Sequence, residues 1–404
     1  MSTEVALNLT NGSAVENRPD LSPEMAFVLQ LVTHTLRMQS HPIEIGTPVP
    51  DWRLFMRLVR AHQLNGLLLT LDNRLTELVP DEVLDKLREK GRSNAQKNFR
   101  YLTELVRLHR LITRAGVQNY PYKGVLLSKL LFGNYVTREC SDIDFLIDPE
   151  DFAKVHELMI ADGYCCRHYN PDFRKPFLRS SHELMYVKHI KGFTYKIEIH
   201  WAATNQIMDT FLPISVLMKP GNTETLMGHE VRHLDLEAHL LMLLVHHGVN
   251  DVWRSLRQCA DLAMFVEKYR KEIDWARMAM RARSSRFYYT SCVGFKLIKE
   301  LFGIETPPEF EMKRAVPGIV RNNLLRYPQE PKAKLSISSF RRQLIVRDSG
   351  WDRVRLVAAY IYASITPNVR DMEAVKLPKH LFFVYYLLKP GRMVVGMFEK
   401  RGRR

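Results

Sequence analysis

The chain is poor in cysteine, has no long apolar run, and carries no one-sided charge over its first two thirds. Five cysteines in 404 residues (Cys140, Cys165, Cys166, Cys259 and Cys292) are too few for a disulfide framework. Neighbours Cys165 and Cys166 cannot readily bridge each other, and no C-x-x-C pair offers zinc spacing. The most apolar stretches, around 240–245 and 381–388, fall well short of the ~20 residues that span a bilayer. Residues 1–19 are polar, include Glu4 and Glu16, and lack the basic lead and apolar core of a signal peptide. A reducing cytoplasm is the expected setting. No internal repeat or low-complexity tract is visible.

Apolar residues make up 46% and charged residues 25% of the chain. That balance excludes wholesale disorder, and at ~100–200 residues per domain the length allows two to four domains. The net charge of +15 is segregated: residues 281–404 hold 25 basic and 10 acidic side chains, whereas residues 1–280 are balanced at 34 each. This distribution suits a discrete basic module better than a protein that coats nucleic acid.

Periodicity divides the chain into five parts. Residues 1–21 read as a disordered lead and 22–116 as a helical N-terminal region. Ser22-Pro23-Glu24 has the form of an N-cap, a proline at the first position and an early acid, opening a helix through about Met38. A second helix is expected from Asp51 through the run ending in Leu71, a third capped by Asp81, and a fourth from about Asn94 to Ala115, stopped by Gly116. Residues 117–210 read as a small α+β unit. It holds a strand at 143–147, a helix at 150–162, and further β-like runs at 164–168, 184–188 and 194–201, the last two joined by a hairpin-like 189–193. Residues 211–310 and the basic region 311–404 read as helical, with helices at 236–247 and 252–270 and one capped by Asp274.

Chemistry concentrates in three segments: Lys123-Gly124; Arg138 through Asp142-Ile143-Asp144; and Glu198-Ile199-His200-Trp201. Alternate strand residues share a face. Asp142 and Asp144 therefore point one way, with Ile143, Phe145 and Ile147 the other, and Glu198 with His200 repeats the arrangement. If the two strands are neighbours, three carboxylates meet. Such a group needs a compensating cation, and all-oxygen ligands suit Mg²⁺ or Mn²⁺. Ions of this kind, bridging the phosphates of an NTP, activate a hydroxyl and stabilise departing pyrophosphate. Gly124 allows close backbone approach to a phosphate at the start of a helix near 125–132, while Lys123 and Arg138 supply counter-charge.

With these motifs in place the chain resembles the polymerase-β-type nucleotidyltransferases, marked by a glycine-containing loop, a D-x-[DE] strand and a third acid on a later strand. It is most similar to an uncharacterised bacterial family with K-G, R-x-x-x-D-x-D and E-x-H-W. The resemblance, over about residues 25–290, implies an α+β fold: a small mixed-sheet nucleotidyltransferase core with helical flanks. It further implies a two-metal site at Asp142, Asp144 and Glu198, with Lys123, Gly124, Arg138, Ser141 and His200 at the nucleotide. Similar proteins accompany biosynthesis genes for peptide natural products or polysaccharides. Here Val125 follows the glycine where the wider superfamily has a second Gly or a Ser, and the spacing to Asp142 is longer.

Each feature has a plainer counterpart. Lys123 can be read as solvated, His200 as structural, and His246-His247 as a helix-end packing pair rather than a substrate wall. Trp253, Arg257 and Asp261 fit a packing stripe with an ion pair rather than a part of the substrate cleft. The aromatic run 377–388 and the basic end 400–404 fit core packing plus a solvated tail, or contact with an anionic membrane. Two functions compete. One is metal-dependent transfer of an NMP from an NTP to a small-molecule, peptide or sugar acceptor. The other is a degenerate transferase fold that binds nucleic acid or another polyanion, a membrane surface or an acidic partner through its basic third. A kinase of the H-x-D type is excluded: His233-x-Asp235 is followed by Leu240 where asparagine is needed, and no G-x-x-x-x-G-K-[ST] loop exists.

Overall fold

A computed structural model describes residues 21–37, 51–167, 169–208, 210–325, 337–367, 371, 375, 381 and 383–389. The lead 1–20, residues 377–380 and the basic end 400–404 lie outside the described residues.

The centre is a five-stranded mixed sheet of strands β1 (Asn119–Pro121), β2 (Ile143–Ile147), β3 (Cys165–Cys166), β4 (Glu183–Ile190) and β5 (Phe193–His200), in the order β1-β2-β5-β4-β3. Among the described residues only β2 and β5 run parallel. β4 and β5 turn through Lys191 and Gly192, both at positive φ (47° and 76°), the pairing a two-residue hairpin needs to match strand twist.

Both faces of β2 are buried, and the alternation sorts its residues between two cores. Ile143, Phe145 and Ile147 pack with Ile197, Ile199 and Trp201 against Tyr101–Ile112 of a long helix and against Phe152, Val155 and Met159. Leu146, Tyr120 and Tyr122 join the larger helical core that contains Trp253 and Phe265. Trp201 closes the first core: its ring meets Phe152 at 4.8 Å and its indole donates to the carbonyls of Leu178 (3.1 Å) and Ser181 (3.0 Å).

The N-terminal helix starts as expected, with the Ser22 hydroxyl accepting from Met25 N, and it spans Pro23–Leu36. The helix opening at Asp51 ends sooner than the apolar run implied, at His62, because Gln63 turns left-handed (φ 56°). The two helices expected at 81 and 94–115 are one, Asp81–Arg114, and Asp81 lies inside it rather than capping it. Tertiary contact carries the helix through Gly91-Arg92-Ser93-Asn94: Leu84, Leu87, Asn94 and Asn98 are all buried, which outweighs weak local propensity.

A hairpin of β6 (Pro220–Leu226) and β7 (His229–Leu234) lies where the sequence offered no strand signal. Its turn is Met227-Gly228, both at positive φ, and methionine in place of Asn or Asp hides it.

Helices continue to Gly350–Ile365. The aromatic run near 383 does not pack as core: Tyr385 is buried, but Phe383 and Leu387 are 62% and 74% exposed. Among the described residues no helix is long and apolar enough to cross a membrane.

Candidate active site

Asp144 on β2 and Glu198 on β5 are register partners across the one parallel strand pair, followed on the same face by Leu146 opposite His200. Strand pairing, rather than any loop, therefore fixes the distance between the two acids. The segment leading into β2 is tied from below by the long helix. Asn98 donates to the carbonyls of Tyr135 (2.7 Å) and Arg138 (2.9 Å), and the Tyr101 hydroxyl donates to Ser141 O (2.6 Å). From the side, Asn65 N donates to Glu139 Oε1 at 2.9 Å.

Asp144 is 2% exposed. One carboxylate oxygen, Oδ1, meets Lys123 Nζ at 2.5 Å and His200 Nε2 at 3.1 Å. The other, Oδ2, is buried with no hydrogen-bond partner among the described residues. An ionised oxygen left so is costly, and coordination to a cation would offset that cost. Glu198 Oε2 lies 3.5 Å from His200 Nε2, and His200 Nδ1 lies 3.5 Å from Glu183 Oε2. Asp144, Glu198 and His200 offer ligand atoms within 4.8 Å of one another, as do His182, Glu183 and His200. Asp142 stands beside this group without joining its tight set; its Oδ2 accepts from the exposed Ser141 hydroxyl at 3.0 Å.

The charges interlock. Burial disfavours the Asp144 anion, but Lys123 and the His200 hydrogen bond prevail and hold it below the usual carboxylate range. Burial disfavours the Lys123 ammonium, yet Asp144, Glu198 and Asp142 keep it above its ordinary value. His200 follows the same logic, its hydrogen bonds to Asp144 and Glu198 outweighing burial and raising it to about 9. Burial, followed by the charge of Asp144, pushes Asp142 up, and Glu198 also rises, mainly through burial. The site thus separates a low acid, Asp144, from two raised ones.

Lys123 is buried and paired rather than solvated. It is the N-cap residue of the helix Gly124–Phe132. Gly124 has φ +59°, and a Cβ there would lie 3.1 Å from Asp142 O, so the glycine packs its loop against the acidic segment. Arg138, expected as phosphate counter-charge, has a charged partner within the protein. It is 5% exposed, and its Nε donates to both oxygens of Asp261 at 3.1 Å. Asp261 also faces His247 Nε2 (3.4 Å) and Arg257 Nη1 (3.7 Å). The guanidinium braces the segment leading into β2 to the helix Leu256–Tyr269. The Trp253–Arg257–Asp261 stripe combines a fully buried indole with this ion pair.

Sequence reasoning passed over Glu183 and His182, which enter by strand pairing alone: Glu183 is the register partner of His200 on β4. It also passed over Tyr122, whose ring meets His200 edge-on at 5.4 Å. No motif spacing links these residues to Asp144. A cavity of about 970 Å³ lies elsewhere, lined by Arg37, Arg74 and Lys268 among others and by none of these acids, so depth does not mark the site.

A family model described as an uncharacterised nucleotidyltransferase matches residues 48–303. No curated protein and no solved structure matches the chain.

Proposed function

The chain belongs to this uncharacterised nucleotidyltransferase family, and from that premise we propose that it transfers an NMP from an NTP, ATP among the candidates, to a hydroxyl or phosphate acceptor, releasing pyrophosphate. The observation that carries the reading is the pairing of Asp144 with Glu198 beside the Gly124 loop. The acceptor oxygen bonds to the α-phosphorus, the α–β bridging P–O bond breaks, and the acceptor proton passes to a carboxylate. Glu198, raised by burial, suits that proton.

Asp144, Glu198 and the adjacent Asp142 would hold the divalent ion, and the unpartnered Asp144 Oδ2 fits a hard cation such as Mg²⁺ or Mn²⁺. Bound there, the ion would neutralise phosphate charge and lower the barrier to pyrophosphate departure. Lys123 holds Asp144 ionised, and Ser141 orients Asp142. The N-terminus of the Gly124–Phe132 helix offers backbone N–H groups to phosphate oxygens. Incubation with each α-labelled NTP, Mg²⁺ and a host-cell extract tests the proposal. Label is expected in one acceptor class from one or two nucleotides; no transfer under any of these conditions contradicts it.

A second reading gives the basic C-terminal third a docking role. Trp351, Ile361 and Ile365 lie 72%, 60% and 53% exposed on one helix, among arginines 353 and 355, a combination that suits an anionic membrane or another polyanion. Binding to anionic vesicles that falls steeply with salt supports it, and equal binding to neutral vesicles refutes it.

A further inference from the structure

The helix Leu236–Leu244 runs into a wide turn of π geometry over Val245–Asn250, a distortion that tends to accompany function. Two consecutive non-glycine residues just beyond it, Val252 and Trp253, hold positive φ (53° and 50°). Such backbone strain persists only where the surroundings enforce it. Here the enforcement is visible. Trp253 is fully buried, its indole donates to Thr290 O at 2.8 Å, and a Cβ on Gly294 would lie 2.1 Å from its ring.

The result of that distortion is a convergence of ligand atoms. His246 Nδ1 lies 3.4 Å from His247 Nδ1 and 3.7 Å from Asp251 Oδ2, and the three residues each offer a ligand atom within 4.8 Å of the others. Ligands ~2.05 Å from a tetrahedral ion stand about 3.3 Å apart, so the spacing needs little adjustment. The outer contacts are also in place. Asp261 Oδ2 faces His247 Nε2 at 3.4 Å, which favours the proton on that nitrogen and leaves the lone pair on Nδ1, the atom that faces His246. Gln258 donates to Asp251 Oδ2 at 2.6 Å and Arg254 holds Oδ1 at 3.1 Å. A carboxylate that orients a histidine through its far nitrogen is the usual support of a bound metal. His247 is 1% exposed, whereas the His246 side chain is 27% exposed, so the cluster reaches solvent on one side.

We propose that His246, His247 and Asp251 form a binding site for a transition metal ion of the zinc type, separate from the Asp144–Glu198 pair. Two imidazoles and one carboxylate suit Zn²⁺ rather than Mg²⁺, and three protein ligands leave a fourth position open.

Titration of the metal-stripped full-length chain with Co²⁺ tests the site without reference to nucleotidyl transfer. The intense visible absorption of four-coordinate Co²⁺ is expected to saturate at one equivalent and to vanish when one equivalent of Zn²⁺ is added. His246→Ala and Asp251→Asn, each checked for an unchanged far-UV circular dichroism spectrum, should each weaken Co²⁺ binding at least tenfold. The double variant Asp144→Asn/Glu198→Gln should keep the absorption. Only the weak spectrum of six-coordinate Co²⁺, or absorption that survives His246→Ala or is lost with the carboxylate pair, would overturn the proposal.

Discussion

A Cβ at Gly124 would stand 3.1 Å from the carbonyl oxygen of Asp142, on a backbone held at φ +59°. The lysine-glycine loop and the acidic segment thus touch backbone to backbone, and the first position of the helix Gly124–Phe132 depends on a missing side chain. Gly133, at the other end of that helix, is also left-handed (φ +74°), but a Cβ there would meet nothing within 4 Å.

The pair provides its own control. Gly133→Ala should cost only the left-handed penalty of about 1 kcal/mol. Gly124→Ala adds the contact with Asp142 and should lose at least as much stability again, together with turnover. Urea unfolding and the labelled-NTP assay measure both, and equal losses in the two variants would contradict the coupling.

On the proposed function, Asp144→Asn and Glu198→Gln should each lower nucleotidyl transfer by about a thousandfold or more, since each would remove an oxygen anion from the group proposed to hold the divalent ion. Chelation with EDTA should abolish turnover and Mg²⁺ restore it. Wild-type rates in either variant, with folding verified by circular dichroism, would remove these residues from the reaction.

The Arg138–Asp261 pair is 4% and 1% exposed at its side chains. Breaking such a buried pair from one side leaves a charge without compensation and costs about 3–5 kcal/mol. Asp261→Asn should show that loss in urea unfolding, and the double replacement Arg138→Met/Asp261→Leu should recover only part of it, since Arg257 also faces Asp261. A single-variant loss below about 1 kcal/mol would mean that the brace is not structural.

His62 supplies a pH test. Its Nδ1 accepts from Leu256 N at 3.2 Å, so the ring must be neutral there, and burial lowers it from 6.5 to about 4. The unfolded chain therefore binds the proton first. Stability from this residue is complete above pH 6.5 and declines as pH falls toward 4, by up to about 3 kcal/mol. His62→Asn should flatten the wild-type decline between pH 6.5 and 4 in urea midpoints, and an unchanged slope would assign the pH dependence to other groups.

Much of the core was legible because its signals are local. The alternation in Ile143-Asp144-Phe145-Leu146-Ile147 and in Ile197-Glu198-Ile199-His200-Trp201 assigns Ile143, Phe145, Ile147, Ile197, Ile199 and Trp201 to one face, and they share one core. Ser22 and Asp274 cap their helices as their side chains dictate. Where local signals were weak, packing decided. Gly91 did not break the long helix, and a methionine turn gave no notice of the hairpin 220–234.

Residue types and their period of two set, without coordinates, that Asp144 is chemically poised opposite an apolar face and that Glu198 shares such a face with His200. Only tertiary structure could decide that these strands lie side by side in parallel, that Arg138 turns inward to Asp261, and that Glu183 reaches His200 from a third strand. Strand order and the partner of a buried charge depend on contacts between residues distant in the chain, 123 positions for Arg138 and Asp261, and no local pattern records which of several possible pairings buries the most surface and leaves the fewest charges alone.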